Sequence, residues 1–457
     1  MFAKEQKMVL QRKPYSLVSV EVHSALNAMT TPTTYEGVAV HDVKEIDSQE
    51  LSYECFFLKY LSKNIPAVIK NVANNWRATK EFCHQDGSLD LVGAEHYFCS
   101  SHGSESFPIA KCDEQEFSDQ RRIEKRLSSF FEEWKTCNLK GKKYDLYLKD
   151  LHFYLVFMKN RKDLMYEVPI WFSDDWLNPY CDGHGDGNDY RFLYTGPSGS
   201  WTPLHTDVFN SHSWSVNVAG RKRWILFAPN LKVRLQSSKN PSKMLYDARP
   251  FLDHSVHLLR NLPKEFSNAE GLRPLVIMQE HGDAVFVPSG WVHQVENVED
   301  TLSINHNWIN RFCVCNTLTN LIEKLSQIEL SISDVKDTFE MKSQAASDST
   351  LCTSPSNVFD EHCQFLLYVQ EGMNFPLFLQ LINHRVQFLY DLKESCNMQE
   401  KYYFCGDLRE MSQCIAHLKS FAVTMKWLEE SIKVAEERIR NLKHEYDLTA
   451  LIGNIDL

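Results

Sequence analysis

Between residues 190 and 312 apolar and polar positions alternate with a period near two. The runs "YRFLYTG", "SWSVNVAG", "KRWILFAP", "PLVIMQEHGDAVFVP" and "HQVENVEDTLSINHNWI" are rich in Val, Ile, Phe, Trp and Thr and are bounded by Gly, Pro and Asn. Successive side chains of a strand point to opposite faces, so the pattern predicts short strands at the spacing of an antiparallel barrel or sandwich.

The flanks read differently. Residues 1–40 are tinged with Thr, Ser and Pro and are expected to form an arm; residues 41–184 mix helix-like and strand-like segments. "IPAVIKNV" (65–72) predicts a strand. "RRIEKRLSSFFEEWKTC" (121–137) predicts an amphipathic helix, with Ile123, Leu127, Phe130, Phe131 and Trp134 at helical spacing. "NPYCDGHGDGNDY" (178–190) is dense in turn formers, its spacing fits no EF-hand, and it reads as a surface loop. The β core is placed at 185–312 and a helical region at 313–457, interrupted by a polar tract at 342–357 that reads as a loop.

Within that last region Met411, Cys414, Leu418, Phe421, Met425, Leu428, Ile432, Ala435, Ile439, Leu442 and Tyr446 step by three and four. The steps describe a heptad seam on a helix of about 50 Å at roughly 1.5 Å per residue. Such a seam serves either a helix packed on its own domain or a homodimer through the C-terminal helix.

Composition narrows the classes. The chain has 457 residues, 43% of them hydrophobic and 24% charged, which suits a globular protein with a large core. A net charge of −11 argues against general affinity for nucleic acid or an anionic membrane, with "KRW" and "KGKK" as small basic islands only. No apolar stretch approaches the roughly 20 residues of a membrane span, and the charged N-terminus lacks a signal-peptide core. Thirteen cysteines without a C-x-x-C pair indicate neither a disulfide scaffold nor a zinc knuckle. The expectation is a reduced, cytoplasmic protein, with nuclear presence open.

Four H-x-D triplets occur: His84/Asp86, His184/Asp186, His205/Asp207 and His281/Asp283. Two ligands two residues apart must share a side of the chain, as they do on a strand. The β-prone context of "GSWTPLHTDVFNSHSW" favours His205 and Asp207, whereas the other triplets lie in turn-like text. Joined by a distant histidine they would form a two-histidine, one-carboxylate facial triad. This arrangement leaves positions on non-haem Fe(II) open for a bidentate co-substrate and dioxygen. His293, at the start of an alternating run after "PSG", is the candidate third ligand; His212, His254, His257 and His306 are its rivals.

The blocks "WTPLHTD", "VNVAGRKRWILFAPN" and "GDAVFVPSGWVHQVENVEDTLSINHNW" resemble, in order, the jumonji-C (JmjC) family of Fe(II)- and 2-oxoglutarate-dependent oxygenases, and "IPAVIKNVANNW" resembles its usual N-terminal segment. The resemblance implies an α+β fold with a double-stranded β-helix (jelly-roll, cupin-like) core, flanking helices and a helical C-terminal region. It implies iron on His205, Asp207 and His293. It places Thr202, Lys222, Tyr147 and Asn307 at the co-substrate, with Lys222 against the distal carboxylate of 2-oxoglutarate. A buried dicarboxylate needs such a cation, and on a strand Arg221 and Arg223 face away from Lys222. Some relatives carry an asparagine where this chain has Ser215, with Trp214 and Asn217 beside it, so the polar lining differs there.

Within the family the balance "HTD … GRKRW … SGWVHQVEN", one catalytic domain and a helical tail look closest to members that hydroxylate a lysine of the eukaryotic translation termination factor. The implied reaction consumes dioxygen and 2-oxoglutarate and releases succinate and carbon dioxide. Histone lysine demethylation, a non-catalytic JmjC binding protein and a zinc cupin isomerase are the alternatives. Acidic charge and the absence of recognisable chromatin-reader text favour hydroxylation.

Overall fold

Two β-sheets stand at the centre of a computed structural model that describes residues 43–161, 163–184, 188–252, 262–336 and 357–446. The expected arm, Asp186, His254, His257 and residues 342–356 of the polar tract lie outside the described residues. The strands are β1 (Glu45–Asp47), β2 (Ala67–Lys70), β3 (Ser106–Glu116), β4 (Asp119–Arg126), β5 (Leu146–His152), β6 (Arg191–Gly196), β7 (Trp201–His205), β8 (His212–Ala219), β9 (Lys222–Phe227), β10 (Leu275–Gln279), β11 (Ala284–Val287), β12 (Val292–Asn297) and β13 (Thr301–Trp308). The larger sheet runs β1-β2-β11-β8-β13-β6-β5-β3-β4 and the smaller runs β10-β9-β12-β7. From β6 to β13 the chain passes back and forth between the two sheets, with β9 and β10 the one consecutive pair that stays in the same sheet, as suits the jelly-roll, cupin-like expectation, and β1 to β5 from the N-terminal part extend the larger sheet.

The sheets pack face to face. Val285 and Val287 of β11 share one apolar cluster with Trp224 and Leu226 of β9, Ile277 of β10 and Val295 of β12. Gln279 on β10 crosses the gap: its amide donates to the Ser215 carbonyl at 2.9 Å and its oxygen accepts from Trp224 Nε1 at 2.7 Å. The alternation of β8 then has a plain cause. Trp214, Val216 and Val218 enter the main core beneath the helices. Ser213 and Ser215 lie opposite Val287 and Val285 and so face the lumen between the sheets. The outer side of the smaller sheet, through Leu204, Ile225, Phe227 and Val292, is covered by Leu235, Phe251 and Phe266 of the β9–β10 connection.

Helices pack around this frame: α1 (Arg77–Phe82), α2 (Leu91–His102), α3 (Leu127–Leu139), α4 (Leu177–His184), α5 (Val314–Ser331), α6 (Asn357–Glu371), α7 (Phe375–Leu392), α8 (Met398–Phe421) and α9 (Lys426–Glu445). Three expectations need correction. The helix expected over 121–137 begins only at Leu127. Residues before it extend β4, where Ile123 pairs with Ile109 of β3, because tertiary pairing overrides weak local periodicity. The loop expected over 178–190 is helical to His184. Asp175 Oδ1 caps it by accepting from the Leu177 and Asn178 amides at 2.7 and 3.3 Å, and Pro179 sits harmlessly in the first turn.

The heptad seam is not one long helix. A 3-10 turn at Ala422–Thr424 separates α8 from α9. Met411, Cys414, Leu418, Leu428, Ile432, Ala435, Ile439 and Leu442 are buried against their own chain, so this seam is not the surface through which a second copy would pair. The helical region is tied to the β core by Arg385 of α7, which donates to Asp407 of α8 at 2.6 Å and to Asp174 of the core at 3.3 Å; Tyr403 also donates to Asp174. No helix among the described residues is long and apolar enough to cross a membrane.

Candidate functional site

His205 ends β7 and stands directly across from His293 on β12, with ring centroids 4.3 Å apart. Asp207 is not on the strand, contrary to the strand argument; it lies two residues past the end and leads into a turn at Val208–Asn210. That turn holds Phe209 and Asn210 at φ of 61° and 50°, in the left-handed region where non-glycine residues are uncommon. Phe209 pays no exposure for this: it is fully buried, edge-on to Tyr190 at 5.1 Å. The turn swings the carboxylate back, and Asp207 Oδ1 lies 3.9 Å from His293 Nε2. One ligand atom each from His205, Asp207 and His293 falls within 4.8 Å of the others. No other such group of three occurs among the described residues.

Each of the three side chains is oriented from behind. His205 Nδ1 lies 2.7 Å from the Pro203 carbonyl and His293 Nδ1 lies 3.1 Å from that of Trp291. A carbonyl only accepts, so both Nδ1 atoms carry the hydrogen and both Nε2 lone pairs are left free. Asp207 Oδ2 accepts from the Ser213 hydroxyl at 2.7 Å. Burial pushes His293 down to about 4; neighbouring His205 acts in the same direction and Asp207 opposes it. A neutral imidazole at pH 7 is what a metal ligand must be. Two imidazole nitrogens and one carboxylate suit a divalent transition metal with open positions.

On the same lumen face, Lys222 begins β9 with 1% of its surface exposed. Its Nζ lies 3.3 Å from the Tyr147 hydroxyl and 5.9 Å from the ring centres of Tyr147 and Tyr194. No carboxylate pairs with it among the described residues, and burial pulls it down to about 7. Across from it on β12 stands Asn297, which donates to Ser200 at 2.7 Å while its own oxygen finds no partner. The Ser303 hydroxyl and the Asn217 oxygen are buried and unpartnered as well. Buried polar groups left without partners are costly, and an uncompensated cation more so. A small anionic ligand with several oxygens would accept from the Lys222 ammonium and the Ser303 hydroxyl, whereas the two amide oxygens call for donors instead. Burial raises Tyr147, which stays a protonated donor beside Lys222.

Thr202 lies three residues before His205, and strict alternation would set them on opposite faces. A bulge removes the conflict. His205 pairs with His293 and Thr202 with Val295, so a step of three along β7 matches a step of two along β12. Because His293 and Val295 share the lumen face, Thr202 does too. Asn307 pairs with Ser213 on β8, and its amide is turned to Ser211 at 3.2 Å. Where relatives place an asparagine, Ser215 donates to Asn305 Oδ1 at 3.1 Å, so the neighbouring strand supplies the amide.

The rival histidines among the described residues, His212 and His306, are engaged elsewhere. His212, expected within a turn, is the first residue of β8; it is fully buried, its Nδ1 accepts from the Ser289 amide at 3.0 Å, and burial holds it down to about 3. His306 bonds the Tyr166 hydroxyl at 2.7 Å. Asp86 accepts from Ser88, Asp283 pairs with Lys70 at 2.6 Å, and His184 bonds the Tyr180 carbonyl. Residue-by-residue reading missed Ser213, Tyr194, Asn297 and Asn305. The signal was present in "SWSVN" and "SINHN", where small polar residues alternate with apolar ones on strands buried on both faces.

Known proteins match this chain over most of its length. The family model described as a cupin-like domain matches residues 53–313. The chain is 36% identical over 350 residues to the arginine-specific demethylase JMJ20 of Arabidopsis thaliana, covering 73% of this chain and 68% of that protein. It is 33% identical over 383 residues to the 2-oxoglutarate and iron-dependent oxygenase JMJD4 of Danio rerio, covering 82% and 81%. To the protein of the same name from Homo sapiens it is 32% identical over 335 residues, with 72% of each chain covered.

Proposed function

Because the chain belongs to the cupin-like, JmjC-type family of 2-oxoglutarate- and iron-dependent oxygenases, we propose that it is a protein hydroxylase that oxidises a lysine side chain of a translation termination factor. The observation that carries the oxygenase reading is the pairing of two features in one lumen. The His205–Asp207–His293 cluster and Lys222, whose ammonium meets no carboxylate among the described residues, both face it, Lys222 pairing with Asn297 further along β12 from His293. The lysyl substrate and the termination factor rest on the family resemblance of "HTD … GRKRW … SGWVHQVEN" with a helical tail.

In this reading His205, Asp207 and His293 hold iron(II). Bound there with 2-oxoglutarate and dioxygen, the metal supplies an oxidation that inserts one oxygen atom into the substrate C–H bond, the other atom leaving in succinate as carbon dioxide is lost. The protein's own contribution is placement. Lys222 neutralises the distal carboxylate of 2-oxoglutarate, and the hydroxyls of Tyr147 and Thr202 donate to it. Tyr194 and Trp224 wall the lumen, Trp224 as part of the apolar cluster between the sheets.

A second reading is favoured by one comparison: a relative at 36% identity is named as an arginine-specific demethylase. The two are separated by mass spectrometry of a candidate substrate after incubation with the protein, iron(II) and 2-oxoglutarate. Gain of one oxygen on a lysine of the termination factor supports hydroxylation. Loss of methylene from a methylated arginine peptide, with the termination factor unchanged, supports demethylation instead.

A further inference from the structure

Asp207 is the one member of the candidate triad without a strand to fix it, since β7 ends at His205 and the turn after Asp207 is left-handed. What fixes its carboxylate is a side chain from the other sheet. Ser213, on β8 in the interior of the larger sheet, stands opposite Val287 on one side and Asn307 on the other, and its hydroxyl reaches Asp207 Oδ2 at 2.7 Å. We infer that Ser213 is a positioning residue of the metal site, whose hydroxyl holds the Asp207 carboxylate in the rotamer that offers Oδ1 alone to the ion.

An ionised carboxylate is acceptor-only, with two equivalent oxygens on a torsion that is broad and nearly two-fold. Without an anchor it can turn, or bind a metal through both oxygens and fill a position the co-substrate or dioxygen needs. A short hydrogen bond to Oδ2 is charge-assisted and leaves Oδ1 facing His293 Nε2 at 3.9 Å. The histidines are oriented by backbone carbonyls that no substitution removes, whereas the carboxylate depends on one hydroxyl. Partners of this kind alter metal affinity by about 10–100-fold when deleted.

The inference rests on the reading that His205, Asp207 and His293 hold the metal, and the test separates the two. Metal-free protein is titrated with Co(II) in a calorimeter without 2-oxoglutarate, comparing wild type, Ser213→Ala, Ser213→Thr and Asp207→Ala. The expected order is no site in Asp207→Ala, Co(II) affinity lower by about 10–100-fold in Ser213→Ala, and near-wild-type affinity in Ser213→Thr, which keeps the hydroxyl. The Co(II) visible spectrum should change in Ser213→Ala and not in Ser213→Thr. If Asp207→Ala binds as wild type does, the metal reading itself fails. If Asp207→Ala loses the site while Ser213→Ala matches wild type, or if Ser213→Thr is weakened as much as Ser213→Ala, the role of Ser213 is overturned. Should Ser213→Ala not fold, Ser213→Cys keeps the shape with a weaker donor and supports the same comparison.

Discussion

The ring of Tyr147 occupies the space that a side chain on Gly196 would need: a Cβ there would lie 2.5 Å from Tyr147 Cδ2 and 2.9 Å from the Ser200 hydroxyl. Neither neighbour can yield freely, since Tyr147 is 2% exposed and Ser200 is held by Asn297. Gly196 therefore admits the tyrosine that approaches Lys222. Gly196→Ala should displace Tyr147 and weaken 2-oxoglutarate binding by about tenfold or more, the value of a hydrogen bond to a charged group, with Co(II) affinity unchanged. Equal 2-oxoglutarate affinity in the variant and wild type, measured by calorimetry, would show that Tyr147 plays no part in binding.

Lys222 gives the co-substrate a pH dependence of known sign. Its ammonium is pulled from 10.5 down to about 7 by burial in the ligand-free protein. Between those values the unfolded chain binds the extra proton, so Lys222 costs the free protein stability at low pH, a cost relieved as pH rises through that window. Carboxylate binding requires the charged form. Affinity for 2-oxoglutarate should therefore fall as pH climbs above about 7, by up to about tenfold per unit, with proton uptake on binding. Lys222→Met should abolish this slope along with most of the affinity. It should also raise the thermal midpoint of the ligand-free protein, because an unpaired buried cation has been removed. A wild-type affinity flat between about pH 6.5 and about pH 8.5 would contradict the assignment of Lys222.

The heptad seam of the tail should behave as an internal core. Leu428 and Ile432 are 1% and 3% exposed and pack within their own chain. A Leu428→Asp/Ile432→Asp variant buries two charges, so it should lose helical circular dichroism and melt early, each site costing at least the ~2–5 kcal/mol of a truncated core residue. A variant that stays fully helical and sediments at half the wild-type mass would instead mark the seam as a dimer interface.

Much of this arrangement was legible in the sequence because the strands obey simple alternation. "SWSVNVAG" and "TLSINHNW" each carry a polar row for the lumen and an apolar row for the core, and the structure uses them so. Thr202 was placed by family resemblance alone, since a bulge, invisible to a period of two, carries it to the face of His205. The seam misled for a related reason. Steps of three and four persist across Ala422–Thr424 because both arms of a helical hairpin point at one interior, and spacing alone does not distinguish that from a straight helix. In "RRIEKR" the charges fit helix and edge strand equally, and only the pairing of Ile123 with Ile109 decided. The role of Ser213 depends on a turn whose left-handed backbone at Phe209 the residue type did not announce.

The central claim is that His205, Asp207 and His293 hold one iron(II) and that Lys222 anchors 2-oxoglutarate beside it. The direct measurement is anaerobic visible absorption of the protein with iron(II) and 2-oxoglutarate, since chelation of the metal by the oxo-acid produces a charge-transfer band that neither component shows alone. The account predicts that band in wild type, its appearance only at much higher 2-oxoglutarate in Lys222→Met, and its loss in Asp207→Ala and His293→Ala. A band of wild-type strength in Asp207→Ala, or none in the wild-type protein, would contradict it.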